Sequence, residues 1–83
     1  MPDTQPKLTL DAPAYYQIKV QGKLDLLWRD AFLGMSLRHE LQPGDGVISV
    51  LEGTLPDQAA LFGVINQMRD LGLPLISVQW IHH

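Results

Sequence analysis

The sequence predicts an α+β domain with the element order βαββαβ. Three segments alternate apolar and polar residues, as half-buried strands do, a fourth is apolar on both faces, and two segments repeat apolar residues at helical spacing. Two right-handed crossovers would place both helices on the same face of the sheet. The expected architecture is therefore a ferredoxin-like sandwich, with a four-stranded antiparallel sheet in the order 4-1-3-2 and two helices on one face. An arrangement without the first helix is the alternative.

The N-terminal segment, residues 1–13, contains three prolines and shows no periodicity. We therefore expect a flexible arm ahead of a single domain over residues 14–83, since a chain of 83 residues has room for one core only. The first strand follows the arm. Tyr16, Ile18 and Val20 alternate with polar residues, and Gly22 ends the strand.

The first helix is predicted from five apolar residues at i, i+3, i+4, i+7 and i+8 spacing. Asp25 can cap its first turn and Gly34 can end it. A helix this short depends on tertiary packing for its stability. Its apolar residues are Leu24, Leu27, Trp28, Ala31 and Phe32.

A β-hairpin is predicted next. Residues 35–41 alternate in polarity, whereas residues 47–54 are apolar on both faces, which is typical of a strand inside a sheet. Between them, residues 43–46 read Pro-Gly-Asp-Gly. This is a strong turn signal, because proline fixes φ and glycine permits the positive φ of a tight reversal.

The second helix is the clearest element. Pro56 and Asp57 suit its first turn, Gly72 suits its C-terminal cap, and Pro74 prevents its continuation. Gly63 lies inside this helix, where glycine costs about 1 kcal/mol relative to alanine. We attribute it to a close approach of helix and sheet. The apolar positions of the helix are Leu61, Val64, Ile65, Met68 and Leu71.

The last strand covers residues 75–81, and the sheet face opposite the helices is a candidate interface. The third strand contributes to this open face either Val47, Ser49 and Leu51 or Ile48, Val50 and Glu52. Both sets leave an apolar patch in a polar frame, as many partner-binding surfaces do. The candidate interface residues on the other strands are Tyr15, Gln17, Lys19, Ser77 and Gln79.

Composition disfavours several classes of partner. Six basic residues are spread among nine acidic ones, for a net charge of −3, so neither nucleic acid nor a membrane is expected as a partner. No apolar run approaches the roughly twenty residues of a membrane-spanning helix, and no signal peptide is recognised, which favours a cytoplasmic location. The absence of cysteine excludes disulfides and thiolate metal sites, which favours oligomerisation as the means of stabilising a small domain.

Catalytic, cofactor-binding and metal-ligating residues are not assigned. The chain has no cysteine nucleophile, its serines lack a nucleophile-elbow sequence, and His39, His82 and His83 lack zinc-ligand spacing. Asp57 and Gln58 form a candidate contact with an anion or with a partner carboxylate, because a helix N-terminus offers free backbone N–H groups. The alternative, which we favour, is that Asp57 caps the helix and Gln58 is solvated.

Two motifs resemble those of a family of small uncharacterised bacterial proteins. Residues 55–63 read LPDQAALFG and residues 70–78 read DLGLPLISV, against the family patterns DQAALxG and LGLPLLSV. The resemblance covers most of residues 15–78 and implies the fold and a bacterial origin, but no mechanism. Phe62 stands where the family often has histidine. The matching positions are Tyr16, Gly22, Trp28, Asp57, Gln58 and Gly63.

Three functions are consistent with these features. The leading hypothesis is a non-catalytic interaction or regulatory module that self-associates, as a homo-oligomer, through the open sheet face or an edge strand. The second is a small-molecule sensor with a pocket near Trp28, Trp80 or the loop at Gly22, with another protein or a small ligand as its partner. The third and least favoured is a small enzyme, because the sequence shows no catalytic constellation.

Overall fold

The structure, a computed structural model, describes residues 9–25, 34–44 and 46–82. Its elements are β1 (Ala14–Gln21), β2 (Ser36–Leu41), β3 (Val47–Leu55), α1 (Gln58–Asp70) and β4 (Leu75–Ile81). The predicted α+β class is confirmed. All four predicted strands form, and each observed boundary lies within one residue of the predicted one.

The four strands form one antiparallel sheet in the order β2-β3-β1-β4. Read from the other edge, this is the order 4-1-3-2. Neighbours in the sheet are therefore not all neighbours in the chain, since β1 lies between β3 and β4. β2 and β4 are the two edge strands, which leaves each of them with one row of backbone groups unpaired within the sheet.

One helix, α1, is present in the described part of the chain. A sandwich with two helices is therefore not what these residues show. Most of the predicted first helix, residues 26–33 with Trp28 among them, lies outside the described residues. The two ends of that connection are described, and Leu24 and Met35 are both buried in the core.

The core lies between α1 and one face of the sheet. Tyr16, Ile18 and Val20 of β1 are buried on this face, as the alternation predicts. Cross-strand pairing places Leu51 opposite Ile18 and Leu55 opposite Ala14, so β3 supplies the centre of the same face. The helix contributes its buried stripe, Leu61, Val64 and Met68.

The helix α1 begins at Gln58, two residues after Pro56, which the prediction placed in the first turn. Asp57 is its N-cap in extended conformation, with a side-chain oxygen that accepts the Ala60 N–H at 2.8 Å. Pro56 therefore precedes the helix and does not lie in its first turn. At the other end, Gly72 adopts φ +79° and the Leu73 N–H donates to the Met68 carbonyl, which forms a Schellman cap.

The explanation predicted for Gly63 is wrong. A Cβ built on Gly63 would have no neighbour within 4 Å, so no close approach to the sheet requires glycine there. The close approach occurs at Gly53 of β3, where a Cβ would lie 3.1 Å from the Met35 Cα. The backbone that leads into β2 therefore crosses directly over Gly53, on the core face of the sheet.

Candidate functional site

The open face collects all five candidate interface residues. Gln17 pairs with Gln79 and Lys19 pairs with Ser77 across β1 and β4, and Tyr15 is opposite Ile81. Strand β3 adds the second of the two sets that the sequence allowed, Ile48, Val50 and Glu52. Of the two alternatives, the register therefore selects the set that includes a carboxylate.

Glu52 is the centre of a hydrogen-bonded cluster on the open face. The Gln17 amide donates to Glu52 Oε1 at 2.7 Å, and the Tyr15 hydroxyl donates to Glu52 Oε2 at 2.9 Å. These two donors, Gln17 first, hold the pKa of the Glu52 carboxyl below its ordinary value. The hydrogen bond between Tyr15 and Glu52 also raises the pKa of the Tyr15 hydroxyl.

The open face does not carry the expected apolar patch. Val50 is fully buried although it points away from the core, and Ile48 is close to fully buried. The cross-strand neighbours of Val50 are Lys19 and Arg38, whose aliphatic stems can cover it while their charges stay in water. Glu40 lies 3.6 Å from Lys19 Nζ and 3.1 Å from an Arg38 nitrogen. The middle of this face is therefore polar and charged.

The N-terminus of α1 is occupied by the chain itself. The Gln58 N–H donates to the Leu10 carbonyl at 3.0 Å, and the Asp57 carboxylate accepts the Ala60 N–H. An anion would meet the negative charge of Asp57 at this position. The geometry therefore corresponds to the capping alternative for Asp57, and Leu10 ties the end of the N-terminal segment to the helix.

The two edges of the sheet differ in charge. The strand β2, with sequence SLRHEL, carries Arg38, His39 and Glu40. The strand β4, with sequence LISVQWI, has seven residues and no charged side chain. Charged residues on an edge strand oppose pairing with another chain, so β2 has a protection that β4 lacks.

The apolar side chains exposed at the β4 edge form one surface. Leu75, Ile76 and Val78 of β4 are 48%, 46% and 36% exposed, and Phe62 of α1 is 56% exposed. Phe62 lies one helical turn before Ile65, which lines a groove together with Leu75. These four residues, Phe62, Leu75, Ile76 and Val78, are called the β4 edge surface below.

Pairing between β4 and β1 is irregular at one residue of this surface. Ser77 pairs with Lys19 and Leu75 pairs with Val20, which leaves Ile76 without a partner on β1. A bulge of this kind places two consecutive side chains on nearly the same side of a strand. Leu75 and Ile76 therefore both add apolar area near the core side of the edge, in line with Val78.

A shallow groove of about 370 Å³ continues from the β4 edge surface at the C-terminal end of α1. It lies beside the Gly22 loop, because the Gln21 N–H donates to the Pro74 carbonyl. Arg69 is the charged residue in its lining, and the Arg69 guanidinium lies 3.6 Å from the Asp70 carboxylate. The residues that line the groove are Ile65, Arg69, Gly72, Leu73, Pro74 and Leu75.

In the part of the chain that the structure describes, buried side-chain polar atoms have hydrogen-bond partners with one exception. Ser49 Oγ accepts the Leu24 N–H at 2.8 Å and donates to the Gly22 carbonyl at 2.7 Å, and His39 Nε2 donates to the Leu24 carbonyl at 2.7 Å. These bonds fix residues 22–24 onto β3 and β2. The Tyr16 hydroxyl is buried without a hydrogen-bond partner among the described residues.

The described residues contain neither a cluster of metal-ligating side chains nor a membrane-spanning helix. In residues 9–25, 34–44 and 46–82, no group of three or more His, Cys, Asp or Glu side chains is placed to hold a metal ion. No helix of that part of the chain has the length and hydropathy to cross a membrane. His82 lies against Trp80, with ring centroids 4.5 Å apart, and His83 lies outside the described residues.

Residues 15–79 match the family model described as a domain of unknown function, DUF8691. The chain belongs to the DUF8691 family. Membership of an uncharacterised family, predicted from the two motifs, is thereby confirmed. No significantly similar protein was found among curated proteins or among solved structures. The span that defines the DUF8691 domain includes α1, all four residues of the β4 edge surface and the Glu52 cluster.

Proposed function

We propose that this DUF8691 domain is a non-catalytic interaction module that self-associates through its β4 edge surface. The observation that carries the proposal is the contrast between the two edges of the sheet. The strand β4 is uncharged and exposes Leu75, Ile76 and Val78, whereas β2 carries Arg38 and Glu40. An apolar edge without charges is the arrangement on which another strand can add by backbone hydrogen bonding.

The energetics of this surface support association. Full burial of a large apolar side chain stabilises by roughly 1.5–3 kcal/mol, and the four side chains of the β4 edge surface are each between 36% and 56% exposed. Covering them removes apolar area from water on both partners. The free backbone groups of the strand would gain partners at the same time.

The open face supports association less well than the edge. Its central residue, Val50, is already buried, and Lys19, Arg38 and Glu40 surround it with charge. A partner that covers this face would have to desolvate those charges, which costs more than the hydrophobic contact returns. Of the two surfaces that the sequence predicts for self-association, we therefore favour the edge strand.

The proposal is tested by a dilution series followed with backbone amide NMR. Shifts that depend on concentration and cluster at residues 75–81 and at Phe62 are expected. Shifts centred on Tyr15, Gln17 and Glu52 would place the interface on the open face and contradict the assignment of the edge. Spectra that do not change between roughly 10 μM and 1 mM, the range of weak complexes, would contradict self-association itself.

For the whole chain we propose the ferredoxin-like βαββαβ sandwich. The antiparallel strand order and the burial of Leu24 and Met35 on the core face support it. The proposal requires the first of the two predicted helices, the one between β1 and β2. Backbone chemical shifts of residues 26–33 test this, and extended shifts across that segment would contradict it. A bacterial origin and a cytoplasmic location are proposals on sequence grounds only.

Small-molecule sensing is a second candidate, favoured by the groove between α1 and β4. Its apolar lining with Arg69 at one end suits a short amphiphile with a carboxylate. Octanoate is expected to raise the melting temperature of the wild-type protein. Octanol, which has the same chain length but no carboxylate, is the control ligand, and the Arg69→Gln variant with octanoate is the control protein. Equal thermal shifts with octanoate and octanol would contradict recognition of the carboxylate.

A further inference from the structure

We infer that the partner at the β4 edge surface is a second copy of this chain, with the two β4 strands paired antiparallel and Val78 opposite Val78 of the partner. The result is a continuous eight-stranded sheet. This inference rests on the proposed function and adds to it the antiparallel orientation and the register of the two β4 strands. It is drawn from the length, charge and side-chain order of β4.

Two-fold symmetry restricts the ways in which β4 can pair with itself. An antiparallel pair related by an axis perpendicular to the sheet keeps each face of the sheet on its own side. One residue then lies on the axis and pairs with its own copy, and the residues on either side pair reciprocally. The open faces of the two copies form one continuous surface, and the two α1 helices lie on the opposite face of the joined sheet.

The length of β4 selects the residue on the axis. The strand runs from Leu75 to Ile81, and Val78 is its midpoint. With Val78 on the axis, each residue from 75 to 81 lies opposite a residue of the other strand, although the bulge turns Leu75 to the helix side while Ile81 lies on the open face. An axis at Ser77 or at Gln79 leaves two residues of each strand unpaired, which loses backbone hydrogen bonds and apolar contact.

The side chains agree with the same register. Ser77 lies opposite Gln79 of the other copy, so polar side chains meet on the open face. Ile76 lies opposite Trp80 of the other copy, so apolar side chains meet on the helix side. No pair brings like charges together, because β4 has none, and like charges directly opposite each other destabilise a sheet.

A second copy also explains why apolar exposure extends onto α1. Phe62 belongs to α1, which packs on the core face of the sheet, and Val78 lies on that same face because it pairs with the core residue Ile18. Pairing of the edge strands brings the second copy's helix toward this side. Phe62, Ile76 and Val78 then face the equivalent side chains of the other copy across the axis, which removes all of them from water.

Cysteine cross-linking tests the register, since the chain contains no native cysteine. In an antiparallel pair, residues directly opposite each other have Cα atoms about 4.5–5.5 Å apart, which suits a disulfide. Under mild oxidation, Val78→Cys is expected to form a covalent dimer several-fold faster than Leu41→Cys. Leu41 is the matched control, because it is an apolar residue on the other edge and is 87% exposed.

Two flanking variants sharpen the assignment. In the proposed register, residue 77 of one strand lies about 8 Å from residue 77 of the other, given a rise of about 3.4 Å per residue and a strand spacing of about 4.8 Å, and the same holds for residue 79. The variants that probe these distances are Ser77→Cys and Gln79→Cys. Each variant alone is expected to cross-link slowly. A mixture of the two is expected to give the heterodisulfide efficiently, because residues 77 and 79 are then opposite each other.

The outcomes separate this inference from the proposed function. Efficient cross-linking at 78 with the mixed pair at 77 and 79 supports the register. A reversible dimer, seen by light scattering before oxidation, whose fastest cross-link is at another position overturns the register and leaves the interaction module intact. A chain that stays monomeric and cross-links no faster at 78 than at 41 overturns both.

Discussion

Gly63 lies in the middle of α1 with open space around it. A Cβ at this position would meet no atom within 4 Å, and the backbone is ordinary helix. Gly63→Ala is therefore expected to raise the free energy of unfolding by about 1 kcal/mol, since alanine loses less backbone entropy on folding. Urea denaturation measures the change, and a destabilised variant would show that the site is closer to a neighbour than the structure places it.

Ser49 is a buried residue whose hydroxyl serves two backbone groups. It accepts the Leu24 N–H and donates to the Gly22 carbonyl, so Ser49→Ala leaves both groups buried without a partner. We expect a loss of about 1–3 kcal/mol in unfolding free energy. Ser36→Ala is the control, because the Ser36 hydroxyl is exposed. Equal losses of unfolding free energy in both variants would contradict this role of the two Ser49 hydrogen bonds.

The lowered pKa of Glu52 predicts a pH effect. A carboxyl whose pKa is depressed in the folded state stabilises the fold above its unfolded pKa, and this stabilisation is lost as the pH falls through the folded value. Gln17→Ala is expected to raise the pKa of Glu52 toward its ordinary value and to reduce the loss of stability in acid. Carbon NMR titration of the carboxyl measures the pKa, and Gln79→Ala, on the same face, should leave it unchanged.

At the scale of elements, the close crossing of Met35 over β3 explains a glycine inside a central strand. The Met35 Cα would lie 3.1 Å from a Cβ at position 53, and backbone there cannot move aside as a flexible side chain can. Gly53→Ala is expected to cost about 1–3 kcal/mol of unfolding free energy. A variant as stable as wild type would show that the connection does not pass so close to the sheet.

Much of the structure of the individual strands and of α1 can be predicted from the sequence. Alternation predicts β1 because Tyr16, Ile18 and Val20 face the core and the residues between them do not, and spacing predicts the buried stripe of α1. The explanation of Gly63 fails because two residues beyond Leu61 is a rotation of about 200° around the helix, which turns position 63 away from the sheet. The role of Gly53 is missed for a different reason, since it depends on Met35, a residue distant in the chain.

At the scale of the whole molecule, the exposed apolar surface lies at the β4 edge, whereas the sequence predicts it on the open face. The strand register places the five candidate interface residues on one face, but Val50 at the centre of that face is buried. The sequence nevertheless contains the signal for the edge, because residues 75–81 lack charge. That signal has meaning only once β4 is known to be an edge strand, which is a property of the topology.

The solution mass of wild type, Val78→Lys and Leu41→Lys across a concentration series, by light scattering, tests the central claim most directly. In the proposed register Val78→Lys places two positive charges opposite each other, whereas Leu41→Lys adds the same charge at the other edge. We predict that wild type and Leu41→Lys approach the dimer mass of about 19 kDa, twice the chain mass of 9.3 kDa, while Val78→Lys stays near the monomer mass with its circular dichroism unchanged. A monomeric wild type, or a Val78→Lys variant that dimerises as readily as wild type, would contradict the claim that β4 is the associating edge.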